Sequence, residues 1–257
     1  MNTLHVGCAT QTGPQSRYWK QFNAFEVEAR IVERMKPKAA ARWRASAPPG
    51  AVFVPTVPSA LAAGFFGDDV IGAWKRTLAL ADALEARTVL LHTPASFRPT
   101  RDNRERLIDF VGSHRPDGLA IAWWAEGLWE GQPEDRAAVC AATGLIPAVD
   151  PLGHDDEDDE TELPAGDVIY WRLMGRKGLT GRYTDFEIDT LLALAEERRA
   201  GHVFFTAPTM FGEARRFASL LRFARADGAL ADEDEEDGDD EDFDLDALDE
   251  DEPADHR

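Results

Sequence analysis

Val168-Ile-Tyr-Trp-Arg-Leu-Met-Gly175 is a short apolar run that closes on glycine and is followed, after a polar stretch, by Thr184-Asp-Phe-Glu187 and a helical pattern through Ala200. A period-2 run followed by a 3.6-period run is the signature of a β unit leading into a helix. Seven more runs have the same dimensions: Leu4–Ala9, Ala24–Ala29, Ala51–Val57, Thr88–Pro94, Gly118–Ala125, Gly144–Asp150 and His202–Pro208. Eight β units separated by helices form the repeat of a closed (β/α)8 barrel of the TIM type, in the α/β class. In such a barrel the chemistry lies at the carboxyl ends of the strands.

The intervening segments read as helices with identifiable ends. Asp68–Ala86 places Val70, Ile71, Trp74, Leu78, Ala81 and Leu84 at helical spacing. Thr100 caps Thr100–Ser113, Pro133 opens Pro133–Thr143, and Gly144 stops it. Thr184 and Glu187 form a capping box before Ile188–Ala200. Ser16–Phe22 and Lys38–Ala45 are shorter candidates, and Thr209–Ala226 is the last helix, ending near Gly228.

The net charge of −20 is segregated. Seventeen acids lie in Ala231–Arg257 and seven more between His154 and Leu163, which leaves the body near +3. The expected organisation is one barrel domain over 1–228 and a disordered acidic tail over 229–257, because like charges repel and the tail has too little apolar surface to offset ordering entropy. Asp155–Glu162 is read as a solvated loop, with His154 on the surface. There is no secretory start, no continuous apolar run of membrane-spanning length and no metal-like spacing between Cys8 and Cys140. A cytoplasmic protein with no membrane partner is therefore expected. Cys8 reads as a small buried hydrophobe.

Alternation then places side chains. In Ala24–Ala29, Phe25, Val27 and Ala29 form the apolar set that packs on helices, so Glu26 and Glu28 face the barrel axis. In Val168–Gly175, Tyr170, Arg172 and Met174 take the interior, which makes Arg172 the counter-ion for Glu26 or Glu28. A structural ion pair and a functional site both satisfy this reading. Further strand ends bring His92, Trp124, Glu126, Asp150 and Thr206 to the same mouth. As an enzyme, the chain would use Glu26 as base or ligand, Arg172 as anion clamp, and His92 or Asp150 in support, with Glu28 and Trp124 lining the ligand. Glu26, Glu28, His92 and Asp150 would also suit a divalent metal as cofactor.

Several of these segments resemble the domain of unknown function 72 family, also called YecE-like. Phe22-Asn-Ala-Phe-Glu-Val-Glu28 is similar to its second-strand motif, with Glu26 on the family Glu. Leu91-His-Thr-Pro-Ala-Ser-Phe97 keeps Pro94, Ser96 and Phe97 of the family's Gln-Leu-Pro-Pro-Ser-Phe. Tyr170-Trp-Arg-Leu-Met-Gly-Arg176 resembles Tyr-Leu-Arg-Leu-His-Gly-Arg, with Tyr183 on its following Tyr, and Gly7, Trp129 and His202–Leu221 also fit. The resemblance implies a TIM-type barrel with a pocket at its mouth, and adds Arg176 and Tyr183 as ligand-binding candidates. The departures fall on polar positions. The family's Asn after the Glu is Glu28, its His in the seventh strand is Met174, and its Arg-His before Ser-Trp becomes Ala125-Glu126 before Leu128-Trp129.

Three functions fit these readings. The first is a hydrolase or lyase acting on an anionic or sugar-containing small molecule. The second is a degenerate barrel that binds or regulates without catalysis. The third is a nucleic-acid partner held by Arg98, Arg101, Arg104, Arg106, Arg172, Arg176, Lys177 and Arg182, with the acidic tail competing for those cations.

Overall fold

The computed structural model describes residues 3–9, 14–58, 64–65, 67–153, 166–176 and 182–236. Asp155–Glu162, His154, Lys177 and the tail beyond residue 236 lie outside the described residues. The strands are β1 (Thr3–Cys8), β2 (Ala24–Val27), β3 (Val52–Pro55), β4 (Thr88–Thr93), β5 (Ala120–Ala125), β6 (Ile146–Val149), β7 (Val168–Leu173) and β8 (Ala200–Phe205). All neighbouring pairs are parallel, in the order β3-β2-β1-β8-β7-β6-β5-β4. The two ends of this sheet meet at a single parallel bridge, Thr56 to Leu90. There the Val57 N–H donates to the Leu90 carbonyl at 2.7 Å. The result is the expected (β/α)8 barrel, with β3 and β4 as its thinnest seam.

The helices are α1 (Gln15–Tyr18), α2 (Ala29–Val32), α3 (Pro37–Ser46), α4 (Asp68–Ala83), α5 (Arg101–His114), α6 (Pro133–Thr143), α7 (Asp185–Glu196) and α8 (Phe211–Glu236). Their ends follow the local chemistry. The Thr100 hydroxyl accepts from the Asn103 N–H, Pro133 opens α6, and Gly144 closes it at φ +67°. Thr184 and Glu187 complete the capping box of α7. The compact unit spans Met1–Leu221, and a second unit begins at Arg222. Helix α8 continues past Gly228, where the sequence reading ends it, to Glu236. One glycine costs a helix only about 1 kcal/mol, and Ala229-Leu230-Ala231 are strong helix formers. No helix among the described residues is long and apolar enough to cross a membrane.

Alternation sorts the buried side chains into two clusters. Outward residues such as Phe25, Phe53, Trp123, Trp171 and Phe205 join the helices in one large cluster. Cys8 belongs to this outer layer, and burial pushes its thiol up to about 12, so it is an inert packing residue. Inward residues form a second cluster of Ala24, Val54, Leu90, Ala122, Trp124, Ala148, Tyr170 and Phe204. Three alanines there make room for the rings of Tyr170 and Phe204, so the barrel is filled and is not a pore.

Gly7 is needed for the close approach of β1 and β2. A Cβ on it would lie 1.9 Å from the Ala24 carbonyl oxygen. Beside it the Tyr18 hydroxyl accepts from the Cys8 N–H at 2.8 Å and donates to that carbonyl at 2.6 Å, completing the ladder where the two strands diverge.

Candidate functional site

Glu26 and Arg172 meet inside the barrel, as alternation in β2 and β7 requires. Arg172 donates from Nη2 to Glu26 Oε1 at 3.0 Å and from Nε to Oε2 at 3.2 Å. This is a bidentate, charge-assisted pair. The Tyr170 hydroxyl adds a third bond to Glu26 Oε2 at 2.8 Å. Glu26 is 1% exposed and Arg172 14%, so the pair is shut off from bulk water. Burial raises the Tyr170 hydroxyl well above its ordinary range and the Glu26 charge raises it further, so Tyr170 remains a donor. For Arg172, burial alone would lower the guanidinium, but the Glu26 charge and hydrogen bonds outweigh it and hold it above its ordinary value.

The network continues across the barrel. The Arg172 guanidinium carbon sits 5.1 Å from the centre of the Trp124 ring, a cation–π contact. Trp124 is the direct cross-strand neighbour of His92. His92 Nε2 in turn lies 2.8 Å from Glu126 Oε1. These two side chains are 32% and 38% exposed, so unlike Glu26 they face the solvent side of the mouth. Trp123 donates from Nε1 to the Thr93 hydroxyl at 3.0 Å, and Trp129 donates to the Phe97 carbonyl at 2.6 Å. The first bond ties β4 to β5, and the second ties the segment after β5 to the one after β4.

Among the described residues, three buried polar atoms at this end have no hydrogen-bond partner: Trp124 Nε1, Thr56 Oγ1 and His92 Nε2, the last lying close to Glu126 without hydrogen-bond geometry. Trp124 and Thr56 are 8% and 5% exposed. Buried polar atoms are satisfied in the great majority of cases, so unsatisfied ones at a barrel mouth point to an external partner. An indole N–H only donates, and a hydroxyl can donate, so the partner they call for is an oxygen-bearing acceptor.

The other expected site residues form a separate network. Asp150 Oδ2 accepts from the Tyr183 hydroxyl at 2.8 Å and from the Met174 N–H at 2.9 Å, and Oδ1 accepts from the Leu152 N–H at 3.2 Å. The Gly175 N–H donates to the Tyr183 oxygen at 3.1 Å. Burial, then the adjacent Asp150 charge, raises the Tyr183 hydroxyl far above its ordinary value. Arg176 pairs with Glu187 at the start of α7 and donates to the Leu152 carbonyl at 2.8 Å. Asp150, Tyr183 and Arg176 thus fasten the segments after β6 and β7 to each other and to α7.

Glu28 does not point at Arg172. Strand β2 ends at Val27, so alternation stops one residue short of Glu28, which takes the position before α2 and pairs with Arg30 at 2.6 Å. The four-residue metal set therefore does not converge. Glu28 is engaged by Arg30, Asp150 by Tyr183 and the backbone, and Glu26 by Arg172 and Tyr170. Among the described residues, no group of three or more His, Cys, Asp or Glu side chains is placed to hold a metal ion. The central residue that the sequence reading left off its site set is Tyr170. Its signal was present, two residues before Arg172 on the same face.

The fold and this mouth define a TIM-type barrel with a charged, hydrogen-bonded floor at the carboxyl ends of its strands. The family model "Protein of unknown function DUF72" matches residues 9–236, and the chain belongs to that family. It is similar to a DUF72 family protein of Thermotoga maritima MSB8, with a TM-score of 0.68 and 16% identity, over 86% of this chain and 99% of that one. A DUF72 family protein of Enterococcus faecalis V583 gives a TM-score of 0.68 and 15% identity over 88% and 98%. A D-psicose 3-epimerase crystallised in the presence of D-fructose gives 0.55 and 15% over 87% and 99%. At these identities the likeness is one of fold. No curated protein sequence matches the chain significantly.

Proposed function

We propose that this barrel is an acid–base enzyme of hydrolase or lyase type whose mouth binds a small, anionic, oxygen-rich molecule such as a sugar acid or sugar phosphate. The observation that carries this reading is the combination of Arg172 with two unpartnered, deeply buried groups, Trp124 Nε1 and Thr56 Oγ1. All three can donate, and all lie on inward positions near the carboxyl ends of their strands. A ligand bearing a carboxylate or phosphate and further oxygens satisfies them together, whereas an ammonium or purely apolar ligand leaves them unmet.

Glu26 has a supporting role in this scheme. Both its oxygens are committed, so it neutralises and orients Arg172. The rim arginines favour a small ligand over a nucleic acid. Arg101 pairs with Glu105, Arg104 with Asp135, Arg176 with Glu187 and Arg182 with Glu213, so four of the eight cations named for a phosphate backbone already have local acids. The D-psicose 3-epimerase likeness supports a sugar-like ligand at the level of fold analogy only.

Calorimetric titration with D-gluconate, D-glucose 6-phosphate and D-glucose tests the reading. Either anion is expected to bind at least tenfold more tightly than glucose. Trp124→Phe, which keeps the ring and removes the donor, is expected to weaken that binding about tenfold, as the loss of one hydrogen bond to a charged group does. Equal affinity for all three, or affinity unchanged in Trp124→Phe, overturns it.

A further inference from the structure

We propose that His92 and Glu126 form a specificity rim that reads a ligand hydroxyl, so that the mouth accepts a molecule with one acid group and turns away one with a second. The inference rests on the reading of Arg172, Trp124 and Thr56 as the ligand's anchors, and adds what the ligand carries beyond its acid. Three observations support it. His92 lies against both neutral anchors: it is the cross-strand neighbour of Trp124, and it follows by two residues, on the same inward face of β4, the Leu90 that bridges to Thr56. His92 Nε2 is buried without a hydrogen-bond partner although Glu126 Oε1 is 2.8 Å away, so the two groups stand side by side unbonded. And Glu126 is 38% exposed where Glu26 is 1% exposed, so its carboxylate is open to a ligand and its side chain can turn to admit a ligand group to Nε2. The backbone that carries it is fixed: the Glu126 N–H donates to the carbonyl of Thr93, the residue after His92, at 3.1 Å. Gly127 then turns away at φ +71°, where a Cβ would lie 2.8 Å from that of Ala95.

The choice of ligand follows from what each group can exchange. A carboxylate only accepts, an imidazole nitrogen donates or accepts according to its tautomer, and a hydroxyl does both. A ligand hydroxyl therefore serves the two together: it donates to Glu126 and bonds Nε2 in either tautomer. Other groups do not. A second carboxylate only accepts, and it meets the Glu126 charge. An ammonium suits Glu126 but meets Arg172. Burial works to lower the Arg172 guanidinium, and Glu126 adds to Glu26 and Tyr170 in raising it, so a charge at Glu126 is felt at the anchor. An apolar group leaves Nε2 buried and unmet. The anchors supply the attraction and Glu126 the repulsion, the combination by which a site separates ligands that share one acid group. Within the proposed function, the substrate class is a polyhydroxy monoacid: a sugar acid or sugar phosphate that carries no second acid.

The test is calorimetric titration of the full chain with two series of probes. D-gluconate, D-glucarate and hexanoate share a carboxylate, to which D-glucarate adds a second acid and from which hexanoate lacks every hydroxyl. D-glucose 6-phosphate, 6-phospho-D-gluconate and hexyl phosphate make the same comparison on a phosphate. In whichever series binds, the hydroxylated monoacid is expected to bind at least about tenfold more tightly than the other two members. Glu126→Gln keeps an acceptor oxygen and removes the charge. It is expected to hold the monoacid within about threefold and to raise affinity for the diacid about tenfold. His92→Phe is expected to weaken the monoacid about tenfold and to leave the hydroxyl-free acid within about threefold, a split that general loss of structure would not produce. Equal wild-type affinity for monoacid and diacid, equal affinity for monoacid and hydroxyl-free acid, or a preference that survives Glu126→Gln each overturn the proposal. Failure of every member of both series to bind overturns the anchor reading and this inference with it, a result distinct from binding without discrimination.

Discussion

The two ends of the barrel interior both bury titratable groups, and they manage the charge in opposite ways. At the amino end His5 and His202 stack at 5.4 Å, with His202 Nε2 3.2 Å from the Thr88 hydroxyl and neither Nδ1 partnered by a hydrogen bond. Burial, then the neighbouring His5, pushes the His202 imidazole down to about 3, and burial lowers His5 as well. Both rings stay neutral. At the carboxyl end Glu26 and Arg172 form a bidentate ion pair in which each is the other's counter-ion, with Tyr170 filling a remaining lone pair. Burial without a counter-ion therefore yields packing groups, and burial with one yields a fixed field. In the proposed function it is this second arrangement that anchors the anion.

The sharpest way to break this comparison is to strip the mouth of its counter-ion. Glu26→Gln is expected to cost about 3–5 kcal/mol of stability, measured by urea denaturation, because Arg172 is left buried and unpaired. Glu26→Gln combined with Arg172→Leu is expected to recover most of that loss. If Glu26→Gln alone is as stable as the wild type, the pair is not the balanced charge described here.

The amino end is tested by pH. The unfolded chain protonates histidine near the ordinary value of 6.5, while folded His202 resists protonation until about 3. The folded state thus binds fewer protons in that interval, so stability is level above pH 6.5 and declines as pH falls toward 3. The slope from this group approaches about 1.4 kcal/mol per pH unit. His202→Phe is expected to flatten that part of the stability profile. An unchanged slope would place the acid sensitivity elsewhere.

The smallest effect concerns the acidic tail. Removal of Ala231–Arg257 is expected to leave the melting temperature within about 1 °C, because charged, apolar-poor sequence contributes little packing. We propose that the tail also screens the slightly positive body. The truncated chain should then bind DNA more tightly at low salt, with the gain fading as ionic strength rises. Equal, negligible DNA binding by both forms discards the screening role.

Much of the barrel was legible because its signals are local. Alternation in Ala24–Val27 and Val168–Leu173 turned Glu26 and Arg172 inward before any strand order was known, and Thr184 with Glu187 announced the start of α7. Glu28 escaped this logic by one residue, since alternation holds only as far as the strand extends.

The sequence by itself determined the eight β units, their inward and outward faces and the residues that cap the helices, because periods of 2 and 3.6 and capping geometry depend on neighbours a few positions away. Tertiary structure alone decided which inward groups meet. Asp150 turned to Tyr183, 33 residues away, and Glu26 to Tyr170, 144 residues away, leaving His92 to Glu126. Those pairings depend on strand order, on closure of the seam between Thr56 and Leu90, and on how far each strand runs before its loop begins. Side-chain bonds a few ångströms long are set by that global geometry, which no local period encodes.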